Sequence, residues 1–509
     1  MCPTADTSQD LIGQITLLLC DYLRSQGDQS QPVSRVLGPE QLQQVFAAAG
    51  IPLSLEDSHE GTAPKELLAA VRLALQYSVR TGSPKFLNQL YARADPISLA
   101  ADWLVSALNC NVHTYEAAPV LTAVEVEVLD KLAACIGEPY TSTHDGLFVP
   151  GGSLSNYYGI HLARNRADPQ YKQRGSYGGP CMVAFTSEHA HYSYLKAAFV
   201  TGLGTDNLIS IPCDAAGGIL PDKLEQAINS AKAVGKVPFF VGATAGTTVL
   251  GGFDPFQDLA AICTRHNLWL HIDGAWGAAC LLSPRHRHLM EGCEQADSLA
   301  WNPHKLMGLP LQCAAFLTRH PGMLKASCGA NASYLFGEDR LHADYDLGDK
   351  TMLCGRRGDA FKLWLEWKAY GTAGFARKVE HSFRLAEHFE KAVRASGGKF
   401  ALVQARSYVN VCFWWVPPPM RPFTADSAPS EALDTLAKVT PAIKSKMQHA
   451  GDALINFQPL GSLPNFFRIV FSSALSIREE DLDGLLNRMD QYGQGVWQAA
   501  RQPDLQPML

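Results

Sequence analysis

Two successive strand, helix, strand units ending at Asp273 limit the fold more than any other feature of the chain. In GILPDKLEQAINSAK, Pro221 suits a first helical turn, and Leu224, Ala227, Ile228 and Ala231 fall on one apolar stripe. VPFFVGATAG follows as a buried strand. Asp254 and Pro255 then open a second helix with Leu259, Ile262 and Cys263 inward, and LWLHID (268–273) forms the next strand. Short apolar strands alternating with amphipathic helices predict an α/β domain, a largely parallel sheet with helices on both faces, over residues 96–372.

With 47% hydrophobic and 18% charged residues, the 509-residue chain has apolar material for two or three packed units. Residues 1–95 read as a helical arm punctuated at Asp10, at the polar run 26–32 and at Gly38-Pro39, too small for a core of its own and suited to dimerisation. Its most apolar stretch, LIGQITLLLC (11–20), lacks a basic leader and is too short to span a bilayer, so it is expected to pack on a partner subunit rather than on lipid. Residues 373–509 read as a small α+β domain. It comprises the helix GFARKVEHSFRLAEHFEKAVRA, the strand VNVCFWWVP, a helix around LAKVTPAIKSKMQHAG, the strand NFFRIVFSS and a last helix from Glu479, with a Pro-rich surface loop at 417–430.

A net charge of −6 without a Lys/Arg cluster argues against nucleic acid as a partner. Thirteen cysteines, an odd number with no C-x-x-C pair, argue against a disulfide framework and for a reducing, cytoplasmic setting.

In open α/β sheets, ligands bind beyond the carboxyl ends of the strands, so polar residues just after apolar runs deserve inspection. Four such places stand out. In LFVPGGSLSN, Gly151, Gly152 and Ser153 precede the helical run YYGIHLARNRA, where free N–H groups suit a phosphate, although Gly-Gly-Ser is more often a plain turn. His189 and His191 follow the strand CMVAF; no cysteine or carboxylate at ligand spacing supports a metal, and none is expected. Asp273 ends LWLHID before the small residues GAWGAA, as either a helix cap or the partner of a protonated pyridine nitrogen. Lys305, in SLAWNPHKLMGLPLQ, is an apolar-site lysine whose depressed pKa would free its amine as a nucleophile toward carbonyl carbon. A lysine, an upstream strand-end aspartate, a stacking histidine and a glycine-rich phosphate turn together make a kit for pyridoxal phosphate.

The chain resembles the group II pyridoxal-phosphate decarboxylases of fold type I, in the branch acting on glutamate, cysteine sulfinate and aspartate. The motifs that carry the resemblance are FLNQL (86–90), TYEAAPVL (114–121), PGGSLSN (150–156), ATAGTT (243–248), HIDGAWGAA (271–279), NPHK (302–305), ASYLF (332–336), GDK (348–350), CGRR (354–357), NVCFWWVPP (410–418) and NFFR (465–468). The resemblance implies a fold with a seven-stranded, largely parallel sheet in the large domain, and a homodimer with shared active sites. It implies that Lys305 carries the cofactor as a Schiff base, that Asp273 keeps the pyridine nitrogen protonated, and that His191 and Ala275 flank the ring. Gly152, Ser153 and His304 would help hold the phosphate, Thr244 would lie near the ring substituents, and Cys354 and Gly355 would approach from the neighbouring subunit.

Arg468 lies in NFFRIVF, where both strand faces are apolar, so its guanidinium must meet an anion, either an internal carboxylate or a substrate. The resemblance favours the substrate α-carboxylate, with Gln89 reading the side-chain acid. Tyr91, Asp95-Pro96 and FLTRH (316–320) match cysteine sulfinate and aspartate enzymes, whereas Trp103, Asn111 and MGLPLQC (307–313) match glutamate enzymes, and position 113 is His. Bulk at Tyr91 shortens the pocket and favours the shorter acids: cysteine sulfinate to hypotaurine or aspartate to β-alanine, over glutamate to γ-aminobutyrate.

One departure from the family lies in GEDRLHADYDLGDK (337–350). The tyrosine that reprotonates the substrate carbon in relatives falls here on Leu341 or His342, while Tyr345 matches a second, less general tyrosine. Either His342 serves as the general acid, or oxidative deamination to an aldehyde competes, or the chain binds cofactor without turnover.

Overall fold

The computed structural model describes residues 5–55, 61–330, 332, 341–472 and 477–500. Seven strands form the large sheet: β1 (Asp145–Val149), β2 (Met182–Ser187), β3 (Leu208–Ile211), β4 (Val237–Thr244), β5 (Trp269–Asp273), β6 (Ser298–Trp301) and β7 (Ala314–Thr318). Their order is β1-β7-β6-β5-β4-β2-β3, parallel throughout except for β7, which runs antiparallel to both β6 and β1. β2, β5 and β6 are buried along their full length, and β4 from Phe239 onward, which is why they read as unbroken apolar runs rather than as alternating ones. Because β7 returns antiparallel, the connection from β6 needs no crossover helix, and residues 302–313 are left as a short link on the carboxyl edge of the sheet.

The helix Gly152–Ala167 packs across β5, β6 and β7. Gly159 makes the close approach possible, since a Cβ there would lie 2.8 Å from Cγ of the buried His271 ring.

A second sheet, β8 (Phe400–Leu402), β9 (Asn410–Trp415), β10 (Asn456–Leu460) and β11 (Leu463–Val470), is wholly antiparallel in the order β10-β11-β9-β8. The helices Ser430–Ala450 and Glu479–Ala500 accompany it. The boundary expected at 372/373 falls inside the helical run Ala360–Arg394, just beyond Gly371, whose φ of 63° and ψ of 179° interrupt the helix.

The N-terminal segment carries the helices Ala5–Ser25, Pro39–Ala48 and Pro64–Tyr77. Asp10 does not punctuate the chain as its sequence suggests: the first helix runs through it, because its carboxylate accepts from Gln14 Nε2 one turn on, at 2.7 Å. Ile12 and Leu17 of this helix are exposed. The end of the segment joins the small domain, Leu87 N donating to Leu454 O and Val470 N to Leu87 O.

The twelve described cysteines are unpaired. Among the described residues, no helix is long and apolar enough to cross a membrane.

The Gly159 contact is a packing constraint with a measurable size. Gly159→Ala should lower stability by about 1–3 kcal/mol through overpacking, despite the better helix propensity of alanine. Thermal unfolding checks it, and an unchanged midpoint would show that the helix has room to move off β5.

Candidate active site

Parallel strands point their carboxyl ends the same way, and the turns that leave them meet there. Pro150–Ser153 after β1, His191 and Tyr192 after β2, Thr244, Gly246 and Thr248 from β4, Asp273, Ala275 and Trp276 from β5, and Asn302, His304 and Lys305 after β6 line one cavity of about 310 Å³, with Gln312 also on its wall. Eight expected cofactor residues, Gly152, Ser153, His191, Thr244, Asp273, Ala275, His304 and Lys305, line this single space.

Asp273 is buried, and both of its oxygens accept hydrogen bonds, Oδ1 from Ala275 N at 3.1 Å and Oδ2 from Asn156 Nδ2 at 2.7 Å. Lys305 opens onto the same cavity. Burial pulls its pKa down from the ordinary lysine value while the Asp273 charge works against that shift, and no hydrogen bond engages its Nζ among the described residues. The resulting amine is easier to deprotonate, which suits a nucleophile.

The glycine turn differs from its sequence reading in one respect. The helix starts at Gly152, not after Ser153, with Gly151 at φ 105° before it, so Gly152 and Ser153 form the first turn, whose N–H groups have no intrahelical partner. A side chain at 152 would fill the cradle, since a Cβ there would lie 2.8 Å from Asn302 Nδ2 and 3.3 Å from Ala275 Cβ.

His191 accepts at Nδ1 from the Ser193 amide at 3.2 Å and lies 2.8 Å from Ser193 Oγ. Burial lowers its pKa, against the opposing pull of Asp273. His304 is held by Cys313, whose carbonyl oxygen is 2.5 Å from its Nδ1, and burial pushes its pKa down to about 4.

Thr244 and Asn302 line the cavity, and their buried Oγ1 and Oδ1 atoms have no hydrogen-bond partner among the described residues. Polar atoms left open around a lysine, an aspartate and a helix start fit a flat, phosphorylated, hydrogen-bonding group such as pyridoxal phosphate.

Arg468 sits beside this cavity. Its Nη1 donates to the carbonyl of the cavity residue Thr248 at 2.8 Å and its Nη2 to Asn88 O at 2.8 Å, while Nε has no partner among the described residues. In place of an internal ion pair, its hydrogen bonds among the described residues go to neutral carbonyls, and burial lowers its pKa. Gln89 follows Asn88 and takes a hydrogen bond from Ser472 Oγ on its carbonyl. Tyr91 stacks obliquely on Phe86, ring centroids 5.9 Å apart, in a small cluster with Val33 and Leu454. Neither side chain lines the Lys305 cavity.

The remaining candidates stand elsewhere in the same chain. His342 and Tyr345 lean on Tyr115, at ring separations of 4.9 and 5.5 Å. Nearby, His113 accepts on its carbonyl from Gly348 N at 2.8 Å. Residues 333–340 of the preceding loop, and with them most of the ASYLF motif, lie outside the described residues. Cys354 and Gly355 are exposed; Gly355 lines a separate cleft that shares Pro150 and Gln312 with the Lys305 cavity.

Sequence reasoning missed Asn156, Ser193 and His271 as parts of the site. The available signal was Asn156 lying four residues after Gly152, one helical turn along the same face. Glu188, His189 and Cys213 also come within 4.8 Å of one another, which their chain spacing concealed. Glu188 Oε1 already accepts the Cys213 amide at 2.7 Å and Cys213 Sγ lies 3.2 Å from Ser187 Oγ, so ordinary hydrogen bonding accounts for much of the group.

Comparison with known proteins agrees with this geometry. Residues 44–416 match the family model described as the pyridoxal-dependent decarboxylase conserved domain. Human cysteine sulfinic acid decarboxylase is 44% identical over 469 residues, 92% of this chain and 92% of that protein. A crystal structure of mouse CSAD superposes with a TM-score of 0.91 at 39% identity, covering 96% of this chain and 99% of that one. A crystal structure of Oryza sativa TDC with PLP and tryptamine shares the fold alone, with a TM-score of 0.86 at 24% identity over 97% of this chain and 99% of its own. With a lysine, an aspartate and a helix start already gathered at one sheet edge, the match over most of the length settles the matter: this chain belongs to the pyridoxal-dependent decarboxylase family, with pyridoxal phosphate as its cofactor and an amino acid as its substrate.

Proposed function

We propose that the chain decarboxylates L-cysteine sulfinate to hypotaurine, and that it does so as a homodimer in a reducing cytoplasmic setting. The observation that carries the substrate class is Arg468, a buried guanidinium whose hydrogen bonds go to two carbonyls and whose Nε stays unpartnered. A cation so poorly neutralised is a receptor for an acid group. Similarity to proteins named cysteine sulfinic acid decarboxylase over 92% of the chain supports the shorter acid.

Pyridoxal phosphate, when bound, supplies a conjugated ring that accepts the electron pair left when CO2 departs from Cα. Lys305 offers the amine that would anchor the cofactor aldehyde and later free the product. Asp273 would face the ring nitrogen and hold its proton, and His191 and Ala275 would flank the ring. Gly152, Ser153 and His304 would hold the phosphate, with Thr244 beside the ring substituents. Arg468 would fix one acid group of the substrate, and the Gln89 segment would read the other. Orientation is most of the work, since the scissile bond must be held perpendicular to the ring.

His342 would return the proton to Cα, acting in the partner's cavity, with Tyr345 beside it and Cys354 and Gly355 completing the partner's phosphate site. Two features support the crossing: His342 and Tyr345 stand on Tyr115 and do not line their own chain's Lys305 cavity, and the exposed face of the first helix, with Ile12 and Leu17, suits a subunit contact.

The direct test is product analysis with L-cysteine sulfinate, L-aspartate and L-glutamate, with hydrogen peroxide assayed alongside. Hypotaurine should dominate without peroxide. A preference for γ-aminobutyrate would overturn the substrate, and aldehyde with peroxide would overturn the reaction. Arg468→Met should cut kcat/KM for cysteine sulfinate by about a hundredfold or more while cofactor binding persists, the scale of a lost charge-assisted contact.

Mixing two inactive proteins tests the crossing. Lys305→Ala abolishes turnover, and His342→Phe should lower kcat by about 10²- to 10⁴-fold, the usual contribution of a general acid. Heterodimers of the two should regain turnover that neither parent shows, because one site then has both groups. No recovery, with exchange of chains verified, would place His342 outside the partner's reaction.

A further inference from the structure

Behind the cavity, a buried hydrogen-bonded chain links Trp269, Ser298, His271, Asn156, Ser193 and His191. Trp269, Ser298, His271, Asn156 and Ser193 are each at most 1% exposed, out of reach of bulk solvent. Several of these groups have fixed roles. The Trp269 indole N–H only donates, and it lies 2.8 Å from Ser298 Oγ. The Ser193 amide donates to His191 Nδ1, so that nitrogen carries no proton. A charged Asp273 only accepts, and Asn156 Nδ2 is 2.7 Å from its Oδ2.

These fixed points order the rest. The Asn156 NH2 faces Asp273 and gives its second hydrogen to Ser193 Oγ at 2.9 Å, so its carbonyl oxygen faces His271 Nε2 at 3.0 Å and must receive a proton there. His271 is neutral near pH 7, burial having pushed its pKa down to about 4, so its Nδ1 is left as an acceptor. Ser298, 2.8 Å away and already accepting from Trp269, supplies the proton to that Nδ1. On the other branch Ser193 accepts from Asn156 and gives its O–H to His191 Nδ1 at 2.8 Å, leaving the His191 proton on Nε2. Reversing Asn156 would set its oxygen 2.7 Å from a carboxylate oxygen.

We infer that Asn156 is a positioning residue for the cofactor site: anchored through His271, Ser298 and Trp269, it holds Asp273 as an acceptor and aims the Ser193 hydroxyl at His191, reinforcing the Nε2–H tautomer that the Ser193 amide sets. One amide thereby bears on both groups expected to meet the ring, the aspartate at its nitrogen and the histidine on its face. The inference rests on the proposed role of Asp273.

The test compares Asn156→Asp, which keeps the shape but sets a second carboxyl against Asp273 and leaves at most one of the two donated hydrogens, with Ser298→Ala and Asp273→Asn in the holoenzyme. Two quantities are read apart from turnover: the dissociation constant for pyridoxal phosphate and the ratio of the absorption bands of the bound cofactor. Asn156→Asp should weaken cofactor binding about ten- to a hundredfold, as loss of a hydrogen bond to a charged group does, and change the band ratio. Ser298→Ala should shift both in the same direction by less. A wild-type spectrum and affinity in Asn156→Asp overturns the inference, whereas the same outcome in Asp273→Asn overturns the role of Asp273 itself. Neutron diffraction on wild-type holoenzyme decides the matter even if Asn156→Asp does not fold. Protons are expected on Nε2 of both His191 and His271, and a proton on Nδ1 of either one overturns the ordering.

Discussion

A carboxylate buried at the end of the central strand must be matched by donors, or its desolvation destabilises the fold. Asp273 meets that demand with the Ala275 amide and with Asn156, and the second of these shapes the molecule around it. Asn156 reaches Asp273 only because its helix starts at Gly152 and lies close on β5, which in turn requires Gly159 to have no side chain against His271. The same helix start delivers the free N–H groups of Gly152 and Ser153 to the cavity. Satisfying one buried charge therefore brings together two parts of the cavity, the carboxylate proposed to meet the ring nitrogen and the helix start proposed to hold the phosphate.

The lysine is placed by a different device. Antiparallel pairing of β7 with β6 turns residues 302–313 into a short link over the carboxyl edge. The link is pinned at several points, by Lys305 N to Asn302 O at 3.0 Å, by Gly308 N to Lys305 O at 3.0 Å and by the His304 contacts to Cys313. A nucleophile on a pinned turn loses little freedom when a ligand binds, and preorganisation of this kind is what a decarboxylase contributes beyond its cofactor.

Much of this was legible in the sequence, for physical reasons. Parallel strands buried on both faces leave continuous apolar runs, and the polar residues at their carboxyl ends, Asp273 and Lys305 among them, are conspicuous against that background. The hydrogen-bonded chain was not legible, because Asn156, Ser193, His271 and Ser298 are ordinary polar residues until the sheet order sets β5 beside β6 and the helix over both. Asp10 reads as a cap or breaker because an aspartate that pairs with Gln14 one turn later looks the same, in one dimension, as one that caps. Arg468 reads in the sequence as a buried cation in need of an anion, whereas its carbonyl partners, Thr248 and Asn88, come from distant segments that no local pattern joins to it.

That junction separates two properties of the enzyme. Asn88 belongs to the end of the N-terminal segment, Thr248 to the turn after β4, and Arg468 to β11 of the small sheet. The cofactor cavity, by contrast, is lined by turns of the large sheet alone. An acid group held at Arg468 is thus sensed where three parts of the chain meet, whereas the ring and phosphate are sensed within one. Such a division lets the large sheet keep one cofactor site while the surrounding segments vary in the substrates they admit.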